Sequence, residues 1–160
     1  VVSKVAQVRA LQESLKQLAK EMEMARKQLE DAKHTMLGML DNDQSASQRI
    51  KGLNVAQQLP KADEEIVGAL FKTLRNDPNT NVRLAALDAL ARFQKDPAVR
   101  KQLIQSLSTQ KDPMVQIKLI QLMVQLNEKA VVDDLRNLVD DEATMKAVRD
   151  EAYTGILKLS

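Results

Sequence analysis

Apolar residues recur near the start of the chain at alternating steps of three and four: Val8, Leu11, Leu15, Leu18, Met22, Ala25, Leu29, Ala32, Met36 and Met39. This uninterrupted a/d heptad seam predicts one long helix over residues 1–41, with a face that asks for another helix. No Gly or Pro interrupts it before Gly38, and at 1.5 Å per residue it would run on the order of 60 Å. Met24 falls outside the seam and is expected to be half exposed. Two arrangements satisfy such a seam. One is a self-associating coiled coil or stalk, in whose parallel form Glu21 at g faces Arg26 at e of a second copy; the other folds the helix back on the rest of the chain.

The period lapses at "DNDQSASQ", residues 41–48, which places a boundary there and a second domain over 42–160. From there the chain repeats. "NDPNTNVRLAALDAL" at 76–90 is echoed by "KDPMVQIKLIQLMVQ" at 111–125, and the apolar-plus-cation pairs Ile50-Lys51, Val82-Arg83, Ile117-Lys118 and Val148-Arg149 recur every 31 to 35 residues. Between them runs a second register: Ile66, Leu70 and Leu74, then Val99, Leu103 and Leu107, then Val131, Leu135 and Leu138 or Val139. Each repeat therefore reads as two amphipathic helices that cannot bury their stripes alone. Pro60, Asp96-Pro97 and Asn127 separate first helix from second; Asp77-Pro78, Asp112-Pro113 and Asp140-Asp141 separate repeats. An Asp before Pro can cap a helix whose first turn accepts the Pro. Leu87 and Leu122 are expected in the core. "AVRDEAYTGILKLS" supplies only a first helix, so the predicted fold is all-α: a long heptad helix followed by about three and a half helical hairpins.

Asp-Pro, three residues, Val-Arg, then Ala and Leu at helical spacing resembles the HEAT repeat, an α-solenoid unit, over residues 45–160. More narrowly, "SASQRIKGLNVAQQL" with "LFKTLRNDPNTNVRLAALDALARF" and "DPMVQIKLIQLMVQL" is similar to a bacterial group of anti-sigma-factor-like, single-pass membrane proteins. That group has a cytosolic zinc-binding segment, one membrane helix, a coiled-coil stalk and an extracytoplasmic HEAT domain. The zinc segment and the membrane helix have no counterpart in residues 1–160. The chain begins at Val1 inside a periodic segment, so sequence upstream is expected.

Composition agrees with a helical core. Hydrophobic residues make up 44 % of the chain but aromatics only 2 %, which suits Leu and Ala ridges rather than an aromatic-rich β-sandwich. No stretch approaches the roughly 18 apolar residues a membrane helix needs, and no signal-peptide pattern is present. The absence of cysteine removes disulfides, thiolate catalysis and cysteine zinc sites, and is compatible with an oxidising space. The net charge of +2 is too small to imply nucleic acid. It is distributed unevenly: +1 over residues 1–41, +4 over 42–127 and −3 over 128–160. A solvated surface explains this, and steering of a protein partner or head-to-tail contact between copies is the functional alternative.

Candidate chemistry is sparse. His34, the one histidine, falls on the outer face of the heptad helix with no second member for a triad or metal site. "DND" at 41–43 lacks the Gly and Glu of a calcium loop, since Ala46 and Gly52 occupy those places. Asp133, Asp134, Asp140, Asp141 and Glu142 suit helix starts better than a metal. Phe71, Phe93 and Tyr153 read as core or hairpin-end packing, and without Trp they offer no stacking platform for nucleic acid.

The expectation is a non-enzymatic protein-interaction module with no catalytic, cofactor or metal residues. Second helices of α-solenoids line the concave face, which makes Lys72, Arg100, Lys101, Gln105, Asp133 and Arg136 the candidate partner-binding residues; Arg83 and Lys118 are assigned to acid pairs between helices. The partner is a protein, with homodimerisation through 1–41 an option. By resemblance the chain is an extracytoplasmic sensing or scaffolding part tethered through an upstream membrane helix. A cytoplasmic HEAT scaffold and an accessory of the HEAT-like lyase type are the alternatives.

Overall fold

The computed structural model describes residues 3–160; Val1 and Val2, at the head of the predicted helix, lie outside the described residues. Among the described residues all regular structure is helical: α1 (Lys4–Leu40), α2 (Ala46–Gln58), α3 (Glu64–Asn76), α4 (Thr80–Ala91), α5 (Pro97–Thr109), α6 (Pro113–Gln125), α7 (Val132–Asp140) and α8 (Lys146–Leu159), with a 3-10 turn at Lys129–Val131 leading into α7. The chain divides into two compact units, the first ending at Thr35 and the second spanning Met36–Ser160.

The first unit is a single helix. Its seam residues Val8, Leu11, Leu15, Leu18, Met22 and Leu29 are 45 to 65 % exposed, and Met24 is 61 % exposed.

The second unit is a stack of three hairpins, α2–α3, α4–α5 and α6–α7, completed by α8 alone. First helices form one layer, α2 on α4 on α6 on α8, while α3 packs on α4, α5 on α6 and α7 on α8. The stripes expected on the second helices are buried at Ile66, Leu70, Leu74, Val99, Leu103, Leu107, Val131 and Leu135, all at most 4 % exposed; Leu138 and Val139, the alternatives at the end of the third stripe, are only half buried. Polar side chains start the helices. Asp63, Asp96 and Asp112 accept backbone N–H groups of the first turns of α3, α5 and α6, and Pro97 and Pro113 occupy the first turns behind the latter two. Asn127, with φ 53°, reverses the chain after α6, and the Glu128 N–H closes back on the Met123 carbonyl at 2.8 Å.

The register of the first helices differs from the apolar-plus-cation reading. The residues that enter the core are Arg49, Val82, Val115 and Val148, spaced evenly by 33 residues. Each is followed four positions later by another buried residue: Leu53, Ala86, Leu119 and Ala152. Ile50 and Ile117 are only half buried, and Lys51 is exposed. Gln116, not Lys118, therefore stands where Arg83 stands.

The remaining departures concern single residues. Asp77-Pro78 is not a helix start: Asn79 caps α4, and Asp77 ends α3. Asp140-Asp141 likewise gives way to Met145, which precedes α8 without a side-chain cap. Leu87 is core, but Leu122 is half buried. Phe71 is core, Phe93 is half buried and Tyr153 is 57 % exposed.

Candidate functional site

Polar chemistry in the second unit concentrates along the edge made by the turns between repeats. Arg49 sits at a core position 7 % exposed and donates Nε to Oδ2 of Asp77 at 2.7 Å, Nη2 to Oδ1 at 3.1 Å and Nη1 to the Asn42 carbonyl at 2.9 Å. The hydrogen bonds to Asp77 raise the pKa of this guanidinium above its already high ordinary value. A raised base loses its stabilisation only as pH climbs toward that pKa, so this contribution is complete throughout the neutral range.

One repeat further on, Gln110 stands where Asp77 stood. Both are buried polar residues, 5 % and 8 % exposed. Arg83 donates Nε to the Asp77 carbonyl and Nη1 to Gln110 Oε1, while Gln110 Nε2 reaches the Leu74 carbonyl at 3.2 Å. Gln116 repeats the Arg83 bond, donating to the carbonyl six residues back, that of Gln110, at 2.8 Å. Arg149 occupies the same place in the last repeat, and its buried Nε has no hydrogen-bond partner among the described residues. Of the two cations assigned to acid pairs, Lys118 meets Asp88 at 2.8 Å. Arg83 binds a carbonyl and an amide instead.

The six candidate partner residues lie on α3, α5 and α7. Lys72 and Gln105 are equivalent, 33 residues apart; Lys101 and Asp133 are equivalent, 32 apart. Lys72, Lys101 and Gln105 are exposed, and their side chains make no hydrogen bond or ion pair among the described residues. Asp133 and Arg136 are exposed neighbours joined at 3.5 Å, an i,i+3 pair of the kind worth little in water. Arg100 behaves differently. It is half buried and engaged within the chain, with Nε to Glu128 Oε2 at 2.8 Å, Nη2 to the Leu126 carbonyl at 3.0 Å and Nη1 to Gln94 Oε1 at 3.3 Å. It ties α5 to the turn after α6.

Shallow grooves lie between successive turns, and their charges alternate. One of about 360 Å³ is edged by Asp41, Asp43 and Lys72. The next, about 270 Å³, is lined by Arg75, Arg83 and Lys111. The third, about 400 Å³, brings Lys111 together with Asp134 and Asp141. Sequence reasoning missed Arg75 and Lys111, whose only signal was their place beside the turns. His34 is exposed on α1, and no group of three or more His, Cys, Asp or Glu among the described residues is arranged to hold a metal ion. No described helix is long and apolar enough to cross a membrane.

The profile of the HEAT-repeat family matches residues 67–156, more than half of the chain. The chain belongs to the HEAT-repeat family. The match begins in α3 and ends in α8, so α2, the first helix of the stack, lies before it. No curated protein and no solved structure matches the chain. HEAT repeats are protein-interaction scaffolds as a rule: each hairpin contacts its neighbours and leaves one side of the second helices to a partner.

Proposed function

We propose that this HEAT-repeat chain is a non-enzymatic scaffold that holds a protein partner on the exposed faces of α3 and α5. The observation that carries this reading is the set of uncommitted polar side chains, Lys72 on α3 and Lys101 and Gln105 on α5, together with the basic groove of Arg75, Arg83 and Lys111 at the ends of those helices. A partner surface rich in acid fits it best. The test places a photo-cross-linking residue at Gln105 and, as a control, at Tyr153 on α8. One partner captured at 105 and lost in a Lys72→Glu/Lys101→Glu chain supports the assignment; equal capture at both positions removes it. A ligand that raises the melting temperature in a chromophore and small-molecule screen would favour the lyase-accessory alternative.

A second reading concerns location. The residues similar to the anti-sigma-like group favour an extracytoplasmic sensing or scaffolding part of a membrane protein, with α1 as a stalk leading from an upstream membrane helix. The in-frame sequence upstream of Val1 tests it. An apolar span of about 20 residues preceded by a zinc pattern supports it; an upstream frame without a span favours a cytoplasmic scaffold.

A further inference from the structure

We infer that α1 pairs with α1 of a second copy of this chain in antiparallel orientation, about a two-fold axis at Lys20. The occupied face is the exposed heptad seam. Met36 is fully buried in the second unit, which leaves residues 8–32 of the seam for a partner, and three relationships within that window select the partner and its direction.

The first is size. Antiparallel pairing about Lys20 sets Val8 against Ala32, Leu11 against Leu29, Leu15 against Ala25 and Leu18 against Met22 of the other copy. Each alanine meets a larger side chain, so no layer holds two alanines. Parallel pairing would set Ala25 on Ala25 and Ala32 on Ala32, with Leu29 on Leu29 between them. Such narrow and wide layers cannot all be packed at one interhelical distance.

The second is charge. Residues 8–20 carry Arg9, Lys16 and Lys20 against Glu13, a net of +2; residues 21–32 carry Glu21, Glu23, Glu30 and Asp31 against Arg26 and Lys27, a net of −2. Apart from Glu21 at g and Arg26 at e these charges stand at the outer b, c and f positions, so antiparallel copies gain a long-range attraction of the basic half of each helix for the acidic half of the other, set against Glu21 meeting Glu21 beside the axis. The one pair that favours a parallel dimer, Glu21 with Arg26, is drawn from residues that also bond within their own helix, in exposed contacts worth little in water. Arg26 donates to both carboxylate oxygens of Glu23 at 2.7 and 3.0 Å, and Glu21 accepts from Gln17 at 3.3 Å.

The third is area. Six large seam side chains per helix are 45 to 65 % exposed. At roughly 100 Å² of apolar surface each, two copies would cover on the order of 1,200 Å² before flanking stems are counted, the lower end of a standard interface. This pairing rests on neither the acidic partner nor the membrane stalk. Copies anchored side by side through their N-termini would have to meet in parallel.

The chain has no cysteine of its own, so single Ala→Cys variants report direction on the intact protein. Light scattering should give a dimer at micromolar concentration. Ala19→Cys should form a disulfide-linked dimer, because residue 19 of one copy flanks residue 19 of the other only in the antiparallel pair; Ala25→Cys should not, because it faces Leu15. Glu21→Gln should tighten the dimer a few-fold by relieving the contact of Glu21 with its own copy at the axis. A monomer at high micromolar concentration, cross-linking at 25 rather than 19, or a dimer weakened by Glu21→Gln would each overturn the proposal. Failure of the partner cross-linking described above would leave all three readouts unaffected.

Discussion

Arg49 of α2 and Asp77 at the end of α3 form a two-point ion pair, Nε to Oδ2 at 2.7 Å and Nη2 to Oδ1 at 3.1 Å, with side chains only 9 % and 6 % exposed. Three other repeats put valine where Arg49 stands. Removing one partner of a buried pair leaves the other charge desolvated, a cost of about 3–5 kcal/mol. Arg49→Val is therefore expected to destabilise the chain by about that amount in urea unfolding. Arg49→Val combined with Asp77→Asn should cost clearly less than the sum of the two single changes. Additive losses would mean that the two side chains do not act as a pair.

Gly52 and Gly68 should respond in opposite senses to alanine. A Cβ on Gly52 would lie 2.9 Å from Met39 Cβ and 3.0 Å from the Met36 carbonyl oxygen, so the end of α1 would have to move off α2. A loss of about 1–3 kcal/mol is expected. Gly68, within α3, has nothing within 4 Å of that position. Gly68→Ala should stabilise by about 0.5–1 kcal/mol through helix propensity. Equal melting temperatures for the two variants would contradict the close approach of α2 to α1.

Arg83 and Arg149 occupy equivalent places but differ in what they bond. Arg83→Met removes donors to the Asp77 carbonyl and the Gln110 side chain; Gln110 Oε1 keeps the Asp112 N–H, and the loss of the donor at the Asp77 carbonyl is expected to cost about 1–3 kcal/mol. Arg149→Met removes a buried Nε that has no partner among the described residues and should leave the melting temperature unchanged or raise it. The comparison is made by calorimetry on the two single variants.

Arg100 and Lys101 are adjacent in sequence and separate in role. Arg100→Ala breaks the pair with Glu128 and the bond to the Leu126 carbonyl, and should cost about 1–3 kcal/mol. Lys101→Ala should stay within about 0.5 kcal/mol of the parent chain while reducing partner capture at Gln105. A stability loss in Lys101→Ala would show that its side chain is also engaged internally.

Much of this architecture was legible because helical period and turn chemistry are local. The seam of α1, the stripes of α3, α5 and α7, and the caps Asp96 and Asp112 could each be read from a few neighbouring residues. The first-helix register was harder. Pairing an apolar residue with a following cation selected Ile50-Lys51 and Ile117-Lys118, whereas burial selects Arg49 and Val115. An arginine at a core position looks like a surface residue until its acid, 28 positions away, is placed beside it. Among the candidate residues, exposure at Lys72, Lys101 and Gln105 followed from helix periodicity. The commitment of Arg100 depended on a turn folded back from 28 residues downstream.

By itself the sequence determined the all-α class, the long heptad helix, the hairpin count and the HEAT family, because each depends on periodicities of three to four residues and on repeats of about thirty. Tertiary structure alone decided which polar residues are interior. Arg49, Asp77 and Gln110 are buried because stacking closes successive turns over them, and the partners that offset their desolvation are distant in sequence: Arg49 meets Asp77 across one hairpin, and Gln110 reaches the Leu74 carbonyl of the hairpin before.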